Sequence, residues 1–242
     1  MDNDLLYIVM PAYNEEDNIE KVVFQWYNII TKINESAAVK SKLLIANDGS
    51  NDKTYEIMQL LAAKYPDFEY IDKPNSGHGA TLLYLYRKAI EAGADYIFQT
   101  DSDGQTNPAE FWQFWESRYE YDFQIGDRNA REDGISRILV TKVLQFVVLL
   151  FFKVSVKDAN TPFRLMKTER LKAVLRIIPS DFFLCNVAIS AIAVKWNERC
   201  KWYPISFKPR QGGVNSINFK RIMKIGWKAM GDFIIINKNL KK

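Results

Sequence analysis

The stretch ADYIFQTDSDGQTNP, residues 94–108, decides the fold. An apolar run leads into two aspartates one residue apart, Asp101 and Asp103, and then through Gly104 and Gln105 to Asn107-Pro108. The run predicts a strand over Tyr96–Thr100, and Asn107-Pro108 reads as an N-cap followed by proline at the first helical position. Like charges this close repel, so the pair is comfortable only where a cation or strong donors offset it.

The same rhythm of extended apolar run, polar turn and helical pattern runs through the first half of the chain, which is the signature of βαβ units and a parallel sheet. The other strands are expected at Leu5–Pro11, Lys42–Asn47 and Phe68–Asp72. Ile19, Val22, Val23, Trp26, Ile29, Ile30 and Ile33 recur at three and four residues, so one face of a helix packs on that sheet. Ser50 or Asn51, and Ser76, are the candidate caps of the next two helices. The polar clusters PAYNEE, NDGS, KPNSGHG and DSDGQ all fall at strand carboxyl ends, where open parallel sheets bind ligands. Beyond Gly126 come a basic segment, GDRNAREDGISR, and an apolar stretch, Ile138–Val156, whose uninterrupted runs fall short of the ~20 residues that span a bilayer. A helix near Asp181–Trp196, a strand near KWYPISF and a last helix from about Asn218 complete the chain.

Composition bounds the function. The 242 residues are 48% apolar and 14% aromatic, enough for one full core and too much for disorder. A net charge of +4 does not argue for a nucleic-acid partner. Cys185 and Cys200 read as free thiols in a reducing compartment, and the acidic N-terminus is unlike a secretory signal. A cytoplasmic protein is expected.

Paired carboxylates at a strand end suit a hard divalent cation, Mg²⁺ or Mn²⁺, with Gln105 as a neutral oxygen. An Asx turn and an aspartyl nucleophile are the competing readings. An EF-hand is excluded, since its twelfth loop position is Trp112. Asp48 stands where an acid commonly meets a ribose or base, and Lys73 with the glycines of KPNSGHG allows close approach to a ligand. Arg128, Arg131, Arg137, Arg164 and Arg210 offer planar forks suited to phosphate. His78 is explained as a polar residue in a first helical turn.

Taken in order, VMPAYNEEDNI, NDGSNDKT, NSGHGA, DSDGQTNP, DANTPFRLM and FKPRQGG resemble glycosyltransferase family 2, most closely its dolichol-phosphate mannose synthase and polyprenyl-phosphate sugar transferase members. The resemblance implies an α/β GT-A fold, a UDP- or GDP-linked sugar donor, a divalent metal and inversion at the anomeric carbon. It implies that Pro11, Tyr13, Glu15 and Asp48 hold the nucleoside, with Lys73 alongside on the donor side. It also implies that Asp101, Asp103 and Gln105 hold metal and diphosphate, that Arg128 and Arg210 meet phosphate groups, and that Asp158 lies beside the acceptor as base or orienting group.

Two departures from the family pattern bear on the acceptor. His78 replaces a frequent basic residue, and FFLCNVAIS carries Cys185 and Asn186 where members acting on sugar hydroxyls place an acidic pair. A phosphate monoester, with a second pKa near ~6, needs no base to become a nucleophile, so a polyprenyl phosphate acceptor is favoured. The chain is expected to divide into a catalytic domain, 1–216, and a basic amphipathic helix, 217–242, that packs on the domain or on an anionic membrane face. The alternatives are a family 2 enzyme with a soluble or polysaccharide acceptor, a sugar nucleotidyltransferase, and an inactive nucleotide-sugar or membrane binding module.

Overall fold

A computed structural model of the protein describes residues 3–128, 135–208 and 231–240. Seven strands form one sheet: β1 (Leu6–Ala12), β2 (Lys42–Asp48), β3 (Phe68–Lys73), β4 (Tyr96–Gln99), β5 (Phe123–Asp127), β6 (Arg164–Lys167) and β7 (Cys200–Pro204). Their order is β3-β2-β1-β4-β6-β5-β7. The pairs β1 with β2, β1 with β4, β2 with β3 and β5 with β7 are parallel, whereas β6 runs antiparallel to both β4 and β5. The four strands expected in the first half are present, each within a residue of its expected ends, and the strand expected near KWYPISF is β7, Cys200–Pro204. The short β5 and β6 were not foreseen, because neither is part of the strand, polar turn and helix rhythm that marked the others.

Helices α1 (Ile19–Ser36), α2 (Thr54–Lys64) and α4 (Phe111–Glu116) cover one face, while α3 (His78–Glu91), α5 (Ile135–Phe152), α6 (Thr168–Leu175) and α7 (Cys185–Lys195) cover the other. Strand β1 shows why: Leu6, Ile8, Met10 and Ala12 enter the first core and Tyr7 and Val9 the second, as a period of two requires. All seven apolar residues of the α1 stripe are buried. Phe98 anchors the first core, with the rings of Phe163, Phe111 and Trp26 centred 4.8, 5.0 and 5.4 Å from its own. Each such pair adds about 0.5–1.5 kcal/mol to the burial of its area.

Two expected caps are corrected. Neither Ser50 nor Asn51 caps α2, which follows Lys53 with no side-chain cap, while Asp52 Oδ1 accepts from Thr54 N and Oγ1 just ahead of it. Helix α3 begins after Gly77, whose φ of +86° suits glycine, and Ser76 turns away to Lys73. Asn107 does cap its turn, accepting from Ala109 N at 3.2 Å. A helical segment over 231–239, α8, packs Phe233 against Phe151, Phe152 and Phe182. The rest of the expected final helix, 217–230, lies outside the described residues. Both cysteines are free, and burial pushes each thiol up to about 12.

At the β5–β7 end of the sheet, Asp122 receives Arg199 through both oxygens, at 2.7 and 2.9 Å, and Lys167 at 3.2 Å. The Arg199 hydrogen bond, against the opposing effect of burial, holds the carboxyl at about 2 rather than 3.8. A folded-state pKa below the unfolded one contributes stability above the unfolded value, and that stability is lost as pH falls through the folded value. Thermal denaturation between pH 4 and 2 should therefore show a shallower acid decline for Asp122→Asn than for the parent; equal slopes would remove the ion pair from the account.

Candidate functional site

The site is built where the strands end. Register places Ala12 beside Asn47, Asp48 beside Lys73, and Gln99 beside both Val9 and Arg164, so the loops after β1, β2, β3 and β4 share one edge. Because β6 is antiparallel, the segment leading into it, residues 158–163, arrives at that same edge, and β5 delivers Arg128 to it.

The first two loops are sewn together. Asn14, at φ +54°, donates its N–H to Ser50 Oγ and accepts from Asn51 N; Glu15 N donates to Thr54 Oγ1, and Glu16 exchanges bonds with Asp52 and Lys53 N. Glu15 is buried and accepts from Asn18 Nδ2 at 2.8 Å, whereas Tyr13 stands half-exposed at the edge. The Pro11 carbonyl accepts from Ser102 Oγ at 2.8 Å, which ties the DSDG turn to β1.

Asp48 and Lys73 meet each other. The Lys73 ammonium contacts Asp48 Oδ1, Ser76 Oγ, Thr81 Oγ1 and the Pro74 carbonyl, while Asp48 also accepts from Ser76 N and Gly77 N, each at 2.9 Å. Burial would raise the Asp48 pKa, but the bonds from Lys73 and Ser76 prevail and lower it. A carboxylate has about four acceptor positions. Oδ1 of Asp48 receives both Lys73 and Ser76 N and Oδ2 receives Gly77 N, so the pair fastens the β3–α3 turn to the end of β2. Gly79 completes that turn: a Cβ there would lie 2.2 Å from the Phe183 carbonyl oxygen and 2.5 Å from that of Phe182. At Gly79 the close approach is to the protein's own backbone, whereas a Cβ at Gly77 would meet nothing within 4 Å.

Asp101 is a quarter exposed, and His78 Nε2 lies 3.1 Å from its Oδ1. Burial disfavours the imidazolium, but Asp101, then Asp103 and Asp48, outweigh it and raise the His78 pKa above 6.5. His78 thus belongs to the site, which its lone position in the sequence did not reveal. Asp103 Oδ1 accepts from Gln105 N at 3.1 Å, the Asx turn weighed above. Gln105 is buried and donates Nε2 to the Lys208 carbonyl at 2.7 Å, so a cation could be met only through its carbonyl oxygen. Among the described residues no three His, Cys, Asp or Glu side chains gather into a metal cluster. The all-oxygen pair of Asp101 and Asp103 fits Mg²⁺ or Mn²⁺, which commonly takes one or two carboxylates and completes its shell from water and substrate phosphate.

Arg128 and Asp158, thirty residues apart, form a bidentate pair with Nε–Oδ2 at 2.7 Å and Nη2–Oδ1 at 2.9 Å. The guanidinium also lies 5.1 Å from the centre of the Phe207 ring. Behind them the fully buried Arg164 donates to the carbonyls of Ala159, Thr161 and Asn186 and to Ser190 Oγ, fixing the loop that carries Asp158 against α7. Arg164 is therefore a scaffold residue. Arg210 lies outside the described residues.

Residues 7–174 match the sequence profile described as Glycosyl transferase family 2. The chain is 26% identical over 222 residues to a dolichyl-phosphate beta-glucosyltransferase of Trichomonas vaginalis, covering 80% of this chain and 66% of that one. It is 22% identical over 231 residues to a polyprenol monophosphomannose synthase of Mycolicibacterium smegmatis, covering 92% and 84%. Glucosyl-3-phosphoglycerate synthase from Mycobacterium tuberculosis, solved with Mn²⁺, UDP-glucose and glycerol 3-phosphate, superposes with a TM-score of 0.65 over 97% of this chain and 80% of that one. At 13% identity that likeness is one of fold.

Proposed function

The chain belongs to glycosyl transferase family 2 and is a transferase, and from that premise we propose that it moves one sugar from a UDP- or GDP-linked donor to a polyprenyl phosphate at the cytoplasmic membrane face. The observation that carries the acceptor class is the Arg128–Asp158 pair. A carboxylate engaged by a guanidinium through both oxygens is better placed to aim that cation than to take a proton. Cys185 and Asn186 supply no acid in its stead. Among the described residues, an acceptor side whose carboxylate is engaged in this way suits a nucleophile that arrives ionised. The dolichyl-phosphate and polyprenol names of the two relatives agree with this reading.

Asp101 and Asp103 would hold Mg²⁺ or Mn²⁺, which when bound neutralises charge on a diphosphate leaving group. Tyr13 presents its ring at the nucleoside end of the edge, and the sewn loops hold that end rigid. Arg128, aimed by Asp158, offers its cation to phosphate oxygens, so that acceptor and anomeric carbon are held in line for an inverting displacement. Arg210 and the Gln105 carbonyl are assigned to the same diphosphate.

A screen of nucleotide sugars for transfer to a short-chain polyprenyl phosphate tests the proposal; transfer to a soluble saccharide with the lipid phosphate ignored would overturn it. On the donor side, Asp103→Asn should weaken Mn²⁺-dependent nucleotide binding by at least the roughly 10- to 100-fold that outer partners of a metal cost. Its melting temperature should hold within a few degrees, because one edge carboxylate contributes little to the core. Titration calorimetry with and without Mn²⁺ measures this. Undiminished metal-dependent affinity would remove Asp103 from the metal set.

A further inference from the structure

The basic tail, with the apolar stretch Leu144–Phe152, was the expected membrane contact, but the described part of the tail turns its largest side chain, Phe233, inward. Phe233 and Ile236 are fully buried, and Asn237 Nδ2 donates to the Phe151 carbonyl, so α8 is fastened to the end of α5. The apolar surface left outside belongs mostly to α5. Phe146, Leu149 and Leu150 each expose more than half of their area, and Ile234 and Ile235 on α8 nearly half. Lys142, Phe146, Leu149, Leu150 and Lys153 are exposed at successive steps of four, three, one and three residues, a single stripe along the helix with a lysine at each end. Lys157, five residues past the end of α5, and Lys238, in the last turn of α8, are also exposed. From Ile135 to Lys157 the sequence contains no acidic residue.

We propose that the outer faces of α5 and α8 form one surface that seats the protein on an anionic bilayer, with the apolar stripe at the acyl boundary and the lysines at the headgroups. The charge pattern selects this occupant over a second copy of the chain, whose symmetric contact would set like-charged lysine ends near one another. Among the described residues no helix is long and apolar enough to cross a membrane, which leaves α5 lying in the interface. In sequence the helix lies between Arg128 and Asp158, the pair assigned above to the acceptor. The surface gains its purpose from the lipid-acceptor reading, and its test needs neither donor nor acceptor.

That test is co-sedimentation of the full chain with phosphatidylcholine vesicles and with vesicles containing phosphatidylglycerol, at low and high salt. The triple variant Phe146→Gln, Leu149→Gln, Leu150→Gln should bind both about tenfold or more weakly. The variant Lys142→Gln, Lys153→Gln should lose only the anionic preference and its salt dependence. All these positions are exposed, and unchanged thermal melting checks that the variants fold. Unaltered vesicle binding by the triple variant would overturn the proposal. So would self-association of the parent that the triple variant abolishes while vesicle binding persists, an outcome that gives the face to a second copy. Transfer assays on a short, water-dispersed polyprenyl phosphate keep the readings apart: the triple variant should retain that activity, and its absence in the parent would count against the acceptor and not against the surface.

Discussion

Asp158→Asn should lower the rate of sugar transfer by about 10²- to 10⁴-fold while nucleotide affinity changes less than about threefold. The amide keeps the shape of the side chain but replaces one of the two oxygens that receive Arg128 with a donor, which repels the guanidinium it faces. Removing one member of a largely buried ion pair costs about 3–5 kcal/mol, and each 1.36 kcal/mol lost from the transition state is tenfold in rate. Nucleotide affinity holds because Tyr13, Asp101 and Asp103 stand on the loops after β1 and β4, across the sheet edge from the pair. An interaction made mainly in the transition state lowers kcat and kcat/KM together. Steady-state kinetics beside nucleotide titration make the measurement, with thermal melting as the check on folding. Equal loss of nucleotide binding would move Asp158 to the donor side.

Gly79→Ala should destabilise the protein by about 3 kcal/mol or more, the upper part of the range for overpacking. The atoms a new methyl would meet are backbone oxygens of Phe182 and Phe183, so no flexible side chain can move aside and α3 must part from the segment before α7. In a chain of this size that is a fall in melting temperature of about 6–12 °C. Activity should fall with it, since the start of α3 carries His78 to Asp101. Gly77 makes the control: a Cβ there meets nothing within 4 Å, and its φ of +86° leaves backbone strain alone, about 1–2 kcal/mol. A Gly79→Ala protein as stable as the parent, or less affected than Gly77→Ala, would show that the turn yields and does not wedge the two helices.

Local pattern made the first half of the fold readable. The α1 stripe and the four parallel strands each repeat at a short period, and their polar turns fall at one edge for a topological reason that needs no side-chain detail. The acceptor side was legible only as separate residues. Nothing local joins Arg128 to Asp158; they meet because β6 enters the sheet antiparallel between β4 and β5, a placement set by long-range pairing of four residues. Sequence also assigned Asp48 and Lys73 to the donor one at a time; that they sit opposite each other on neighbouring strands and pair their charges is set by register, which no local pattern shows. Gln105 was read from sequence as an oxygen for a cation, but its bond to the Lys208 carbonyl, far along the chain, has no local signal.

The position of β6 has a consequence for the order in which the protein is made. Strands β1 to β4 pair among themselves, and the link from Ser102 to Pro11 is complete soon after β4 has been synthesised. The edge proposed for the donor can therefore assemble on the ribosome while the edge proposed for the acceptor is still untranslated, as units rich in nearer contacts tend to form first. Until Arg164–Lys167 emerges, β4 is the open border of a growing sheet, a template for pairing with other nascent chains. The interval is bridged by translation of α5, the most apolar helix of the chain. A lipid surface that received α5 as it emerged would shelter both hazards at once, making attachment to the membrane an aid to folding as well as a route to substrate.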